Sequence, residues 1–465
     1  MIHLFRNTGK VRPFIDLPLL VLIFLCSTWV ISGQENPGPQ VLRLSPQDAV
    51  DLAIRHNLVL ENARIDLDTR RRREQLIWNQ FLPSVDVAGT LLRHNWPNTV
   101  TVGPGMTMNL PQWNVNGTLS ASFIFSFALL AGIEVIRLDY QAGLVSLERA
   151  RLQIERDVRK MYNQILLLQE NAVLLRDSFA NAERQAAMAE ANFRAGLVPR
   201  LSWLQAQVAV ENMKPTLSEM DNNLRALKAS FAMNLGLPFG TVIELEPFTP
   251  EAFHIPLDLA ELIAQASTGR PDIVELQSNI AVLHSTRRAQ ALQIRTPFLR
   301  LGWTLTSTFN PMLDPFRDNL LSGDNWNRGG NFSVTLGMNI NSILPFTREG
   351  QGLKDLDNRV RSLNITLAQA IRGTELEIFT KVNSLMRIQT SAEVQKAAVE
   401  LAELSYNLTE EAYRAGLQDF QSVQNALLAL QQARLQLLTQ NFNYLNDLLD
   451  LEYAVGIPFG TLSTF

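Results

Sequence analysis

The sequence holds a single cysteine, Cys26, which excludes an intramolecular disulfide and any zinc site built on cysteines. Histidine is nearly as scarce. His3, His56, His94, His254 and His284 stand apart, with no pair at metal-ligand spacing. Basic charge is not in surplus either: 41 Lys+Arg stand against 45 Asp+Glu, a net charge of -4, which removes the electrostatic basis for nucleic-acid binding. Acids and histidines nowhere converge by spacing, so the chain is expected to be no enzyme and to carry no cofactor. Proline is missing from Pro111 to Pro199 and again from Pro345 to Pro458. Stretches of that length without a helix breaker leave room for very long helices.

Long apolar runs are absent after the N terminus. There, Arg6, Lys10 and Arg12 precede a mostly apolar run from Leu17 to Ile31, followed by Ser32-Gly33. A basic segment, an apolar core and small residues predict a secretory signal peptide over residues 1–32. The run is shorter than the roughly 20 residues of a spanning helix. Bulky Phe24 and Leu25 precede Cys26 where a lipoprotein signal carries small residues. Cleavage after Ser32 removes Arg6, Lys10, Arg12 and Asp16 and leaves 38 basic and 44 acidic residues. Any membrane insertion of the mature chain must therefore use something other than an apolar helix.

What the chain does have is a duplication. Phe193-Arg194-Ala195-Gly196-Leu197 recurs as Tyr413-Arg414-Ala415-Gly416-Leu417, and Leu235-Gly236-Leu237-Pro238-Phe239-Gly240-Thr241 recurs as Val455-Gly456-Ile457-Pro458-Phe459-Gly460-Thr461. Both matches share one ungapped offset, the mark of an internal repeat. The halves fall at 40–241 and 257–461, around a Pro- and Phe-rich linker at 242–256 containing Pro247, Phe248, Pro250, Phe253 and Pro256. Each half reads as a helix, two strands near 84–94 and 113–127 or near 298–309 and 331–342, then a long helical hairpin over 130–235 or 353–455. The first helix opens on Ser45-Pro46 with Asp48, a cap, a first-turn proline and an acid.

The strands alternate. Trp113, Val115, Leu119, Ala121, Phe123 and Phe125 are interleaved with Asn114, Asn116, Thr118, Ser120 and Ser122. Leu299, Leu301, Trp303 and Leu305 follow the same period, as do Phe332, Val334, Leu336, Met338 and Ile340, and more weakly Val85, Val87 and Leu91. A period of two gives one apolar and one polar face. The lengths approach the 9–11 residues of a tilted transmembrane strand, and Trp96, Trp113, Trp303 and Trp326 lie at or near strand ends, where an aromatic girdle sits. A half-buried soluble sheet shows the same alternation. In the last helix, Leu428, Leu435, Phe442 and Leu449 recur by sevens, as do Leu430, Leu437, Tyr444 and Leu451, two offset seams that imply a neighbour on each side.

In lipid a sheet must close on itself, and four strands cannot close around anything. Two copies supply eight strands, whose interior side chains fill. Three supply twelve and leave room for a lumen. At this point the residues resemble the TolC-type outer-membrane efflux family across nearly all of the mature chain. The likeness rests on the duplicated order of elements, the repeated tip motif, Arg270-Pro271-Asp272-Ile273 at the second opening, and the Leu-Gly-Leu-Pro and Val-Gly-Ile-Pro closings. The resemblance implies a mainly α fold with a transmembrane β-barrel. It implies a homotrimer with a 12-stranded barrel in outer-membrane lipid, continued by a 12-helix periplasmic α-barrel. A periplasmic adaptor and an inner-membrane transporter are the implied partners, in an efflux pump or type I secretion system passing small molecules or polypeptides.

Gly196 and Gly416 stand where a long helix must reverse, and Pro199 suits the start of a return helix. Tight turns alone account for them. A repeated surface for a repeated partner adds exposed Leu197 and Leu417, oriented by Arg194 and Arg414, with Tyr413 matching a tip tyrosine of the family's closing network. Where the family's best-known member carries aspartates that constrict the entrance, this chain has Ser422 and Asn425, and Ser202 and Gln205 in the first half. A charged ring is therefore not expected, and Asp419 lies out of register. Arg70-Arg71-Arg72-Arg73 points in all directions around a helix and reads as solvated surface. Gly323 to Gly330 lacks the ending of a phosphate loop and reads as an extracellular hairpin loop. The competing reading is a secreted coiled-coil structural or adhesive protein with no channel role.

Overall fold

The computed structural model describes residues 41–462 except 97, 111, 249, 251, 253–254 and 310–325. The signal-peptide segment with Cys26, the linker residues Phe253 and His254, and the start of the Gly323 loop lie outside the described residues.

The chain begins with a short strand, β1 (Val41–Leu44), then α1 (Pro46–His56) and α2 (Leu58–Gln75). Ser45 caps α1 in a reciprocal box with Asp48, whose carboxylate is held below its ordinary value by the Ser45 hydroxyl and backbone N–H. Asn57 ends α1 in extended geometry and caps α2 through the N–H groups of Val59 and Leu60. After a 3-10 turn at Ile77–Phe81 come β2 (Ser84–Arg93), a hairpin of β3 (Asn98–Gly103) and β4 (Met106–Leu110), and β5 (Trp113–Ser126). The helices α3 (Phe127–Arg194) and α4 (Arg200–Asn234) form the first long hairpin, and β6 (Val242–Leu245) pairs in parallel with β1.

The second half repeats this plan. It comprises α5 (Leu259–Gly269), α6 (Pro271–Arg295), β7 (Phe298–Phe309), β8 (Trp326–Gly337), a 3-10 turn at Ile340–Ile343, α7 (Arg348–Arg414) and α8 (Phe420–Val455). At 1.5 Å per residue the 68 residues of α3 extend about 100 Å.

Two differences from the sequence expectation have physical causes. The last strand spans Trp326–Gly337 rather than 331–342, because Gly337 pairs with Phe298, the first residue of β7, and nothing lies beyond to pair with Met338 or Ile340. Trp326 to Gly330, expected in a loop, instead continue the ladder up to Phe309. The pairs β1–β6 and β3–β4 were not anticipated.

The four long strands form one antiparallel sheet in the order β2-β5-β7-β8. Its register sets the apolar residues on one face, with Ala88, Leu92, Ile124 and Phe298 the exceptions. Val87, Leu119 and Leu305 share one row; Val85, Ala121, Trp303 and Phe332 share the next; Phe123, Leu301 and Val334 share the third. The opposite face carries Thr90, Asn116, Thr118, Ser120, Thr304, Thr306, Ser333 and Thr335. Much of the apolar face is open, although Phe309 at its far end is buried against Trp326. Val87, Phe332 and Leu336 are exposed.

The helices form a ribbon of the same width. On the sheet side the packing order is α2-α3-α6-α7, and toward the hairpin tips it is α4-α3-α8-α7. The core sits between these levels. One cluster joins Tyr162, Ile165, Phe231, Leu235 and Phe442 to Ala49, Val50 and Ile243; a second joins Leu262 and Ala266 to Ile378, Leu385, Tyr444, Leu448 and Leu451. Tyr162 places its hydroxyl within hydrogen-bond reach of the carbonyls of Leu44 (3.0 Å) and Glu246 (2.8 Å), and burial with the Glu246 charge pushes its pKa up to about 12.

Candidate functional site

Two features of the architecture bear on function: the hairpin tips and the open edges.

The two tips are built alike. Each long helix ends in αR geometry at Ala195 or Ala415, followed by a left-handed glycine, with φ of 75° at Gly196 and 76° at Gly416. The Leu197 N–H donates to the Asn192 carbonyl and the Leu417 N–H to the Ala412 carbonyl, both at 2.8 Å, while each glycine N–H donates to the carbonyl three residues back. This paired 6→1 and 5→2 pattern satisfies the helix-end carbonyls. Leu197 is 74% exposed and Leu417 79% exposed. Arg194 pairs with Glu190, and Arg414 with Glu410 at 2.7 Å, one turn back along the same helix. The arginines therefore lie against their own helices rather than beside the leucines.

Behind the turns the hairpins touch. Phe420 is buried with Ala189 and Ala206, and Tyr413 packs against them, its ring 6.4 Å from Phe420 in an edge-on arrangement. Burial raises the Tyr413 pKa, and among the described residues its hydroxyl has no hydrogen-bond partner. In the first hairpin the equivalent contact is a stack of Phe193 on Trp203, 5.4 Å apart. Ser202 and Ser422 are half-buried, whereas Gln205 and Asn425 are exposed on the return helices. The Ser422 N–H donates to Asp419 at 2.8 Å, so Asp419 caps α8, and the Ser422 hydroxyl together with that N–H lowers its pKa. Asn425 accepts from Gln421 at 3.1 Å.

The open edges are the larger feature. Among the described residues, strands β2 and β8 each pair on one side only. Helix α4 packs mainly along α3, meeting α8 through Ala206 near the tip and the first core cluster through Phe231 at its other end, and α7 leaves Leu376, Phe379, Met386, Val394, Leu401, Leu404 and Leu408 exposed. On α2 and α4, Leu58, Val59, Ile65, Leu201, Leu204 and Val208 are exposed. In α8 the two heptad seams meet α7 and α3 of the same chain: Leu430, Phe442, Tyr444, Leu449 and Leu451 are buried, while Leu428 stays open.

Charge networks, invisible in the sequence because their members lie far apart, tie neighbouring helices together. Lys160 of α3 and Lys381 of α7 converge on Asp450 of α8, at 2.8 Å and 2.7 Å, and Lys381 also reaches Asp447. Burial alone would raise Asp450, but the two ammonium groups outweigh it and hold its pKa down; the same contacts raise Lys381 against its own burial. Arg270, between α5 and α6, bonds Glu377 (2.6 Å), Thr374 (3.1 Å) and Asp272 (3.3 Å), and these carboxylates outweigh its burial to raise its pKa. Arg149 of α3 reaches Asp272 and Glu275. The family-like Arg270-Pro271-Asp272 run marked one corner of this network without revealing its partners.

Comparison with known proteins agrees with this layout. The family described as outer membrane efflux protein matches residues 49–235. A pyoverdine export outer membrane protein of Pseudomonas aeruginosa, OpmQ, is 24% identical over 312 residues, 64% of this chain and 62% of the relative's length. The structure of CusC superposes with a TM-score of 0.71 at 16% identity, covering 92% of this chain and 96% of its own. The Campylobacter jejuni CmeC outer membrane channel gives 0.71 at 17%, covering 88% and 85%. At these identities the structural likeness is one of fold.

Proposed function

We infer a passive duct: the chain belongs to the TolC-type outer membrane efflux protein family, and its place is the outer membrane. The reading rests on one observation, a ribbon four elements wide that is open on both sides in the sheet and along the helices. The strand directions alternate across the sheet, so the free edges of β2 and β8 run opposite ways and suit an antiparallel seam. A bilayer tolerates no unpaired strand edge, and self-closure is impossible for four strands. Repetition is the remaining solution. Three copies close a 12-stranded barrel with apolar residues toward lipid and the Thr/Ser/Asn face toward a wet lumen. The helical ribbon, closed in the same way, makes a periplasmic barrel of twelve helices at each level. In the adhesive coiled-coil alternative the apolar sheet face instead packs against the sheet of another copy outside the membrane, and no duct forms.

The tips then face the periplasm. Leu197 and Leu417, held out by their turns, form repeated contacts for a periplasmic adaptor, which connects the duct to an inner-membrane transporter, with Arg194 and Arg414 one turn back on their own helices. Small molecules or polypeptides pass, driven by that partner. Ser202, Gln205, Ser422 and Asn425 make any narrowing behind the tip uncharged, and the apolar Phe420–Tyr413–Ala189 contact replaces a carboxylate ring in holding it. Cysteines placed at Leu197 and Leu417 in intact cells should crosslink to an adaptor. Failure of a correctly localised variant to capture any periplasmic protein would count against docking.

A further inference from the structure

The lipid-facing side of the sheet carries two charges, both basic and both at the end farthest from the helices. The register places twenty-four residues of β2, β5, β7 and β8 on that face, running from Leu336, Phe125 and Leu299 next to the helices to Arg93, Trp113 and Trp326 at the far end. Apart from Ser307, Arg93 and Arg328, every one is apolar, aromatic or glycine. Both arginines are exposed, and among the described residues neither forms an ion pair. The Arg93 guanidinium lies 5.5 Å from the Trp113 ring centroid, and Arg328 stands two residues from Trp326, which packs on Phe309.

Their height is informative. Arg328 is eight residues along β8 from Leu336, about 27 Å of strand at 3.4 Å per residue. At a barrel tilt of about 40° that is roughly 21 Å above the lowest apolar row, close to the ~25 Å height of an outer-membrane apolar band. Arg93 lies two rows farther along the ladder. A guanidinium at such an interface, beside an indole, meets headgroups rather than acyl chains.

Their lateral position adds the second argument. Arg93 is on β2 and Arg328 on β8, the two free edges of the sheet. If three copies close the barrel, each seam is flanked on its outer side by Arg328 of one copy and Arg93 of the next. We propose that these paired arginines form an anionic lipid site at each seam, binding a phosphate-bearing headgroup of the outer leaflet. The site rests on the trimeric reading, since one copy holds only half of it. Charge complementarity selects the occupant: guanidinium forks match phosphate oxygens, and the aromatic rings beside them fit the boundary between headgroup and chain. One lipid bridging two protomers would tie the seam together.

The test is native mass spectrometry of the detergent-purified assembly, titrated with bis-phosphorylated lipid A and with the same lipid stripped of phosphate. We expect up to three lipid A molecules per trimer, none of the phosphate-free form at equal concentration, and affinity about 30-fold weaker in the Arg93→Gln/Arg328→Gln variant, at about 1 kcal/mol per lost cation. Arg300→Gln, on the opposite face of β7, should bind as the parent does. Equal binding by parent and double variant, or binding indifferent to phosphate, overturns the lipid site while the trimer stands. A particle of one copy overturns both the site and the duct.

Discussion

Six glycines repeat across the two halves, and the structure divides the four at the helix ends by surroundings rather than by conformation. Gly416 at the second tip and Gly456 at the end of α8 share nearly the same backbone, with φ of 76° and 81°. A methyl group on Gly416 meets nothing within 4 Å, whereas on Gly456 it falls 2.2 Å from the Gly269 carbonyl oxygen and 2.7 Å from the Arg270 nitrogen. Gly416→Ala therefore costs only the left-handed penalty, about 1–2 kcal/mol. Gly456→Ala adds a backbone overlap of about 1 Å against an ordinary C···O contact of roughly 3.3 Å, at the point from which Arg270 reaches Glu377. Overpacking of that kind adds about 1–3 kcal/mol, for a total of about 2–5 kcal/mol. The first half supplies a replicate. Gly196 is open, and Gly236 places its added carbon 2.2 Å from the His56 carbonyl oxygen. Denaturant titration of the detergent-solubilised protein, followed by helical circular dichroism, should rank Gly196→Ala and Gly416→Ala together as mild and Gly236→Ala and Gly456→Ala together as severe. Equal losses for Gly416→Ala and Gly456→Ala would refute the argument that the helix roots are packed backbone to backbone.

Arg270→Ala, which strands Glu377, Thr374 and Asp272, should lower stability by about 2 kcal/mol in the same titration, with Arg270→Lys recovering part of the loss. The Lys160–Asp450–Lys381 chain gives a pH dependence of fixed sign. Asp450 is depressed, so its contribution is full above the ordinary carboxylate value of about 3.9 and is lost as pH falls through the native value. Lys381 is raised, so its contribution is full below about 10.4 and fades as pH climbs past its native value. Lys381→Met should flatten the alkaline limb of a thermal-stability profile and leave Arg270-dependent stability intact. Glu452 is fully buried and accepts from the N–H groups of Gly460 at 3.0 Å and Leu462 at 2.8 Å. Glu452→Ala should free the segment after Val455 to proteolysis and cost about 1–3 kcal/mol.

The sequence carried the periodic information and little of the pairing. The alternation at Trp113–Phe125 and Leu299–Leu305 lies within β5 and β7, and the proline-free stretches hold α3 and α7, because burial of one face writes a period into the chain. The end of β8 was not legible. Alternation continues through Ile340, but a strand stops where its partner stops, and Pro297 precedes the first residue of β7. The β3–β4 hairpin had a signal in Gly103-Pro104-Gly105, whereas the β1–β6 pair joins four-residue strands some two hundred positions apart. At the tips, the motif placed the glycine turns, but not the inward packing of Phe420 on Ala189 and Ala206. The Lys160–Asp450 bond spans 290 positions and leaves no local trace.

The open ribbon is most directly tested by the mass of the particle extracted from outer membranes in mild detergent, measured without crosslinking. The account predicts three copies in a heat-dissociable assembly, with cysteines on β2 and β8 joining only between different chains. A one-copy particle, or a disulfide formed between β2 and β8 of the same chain, would contradict it.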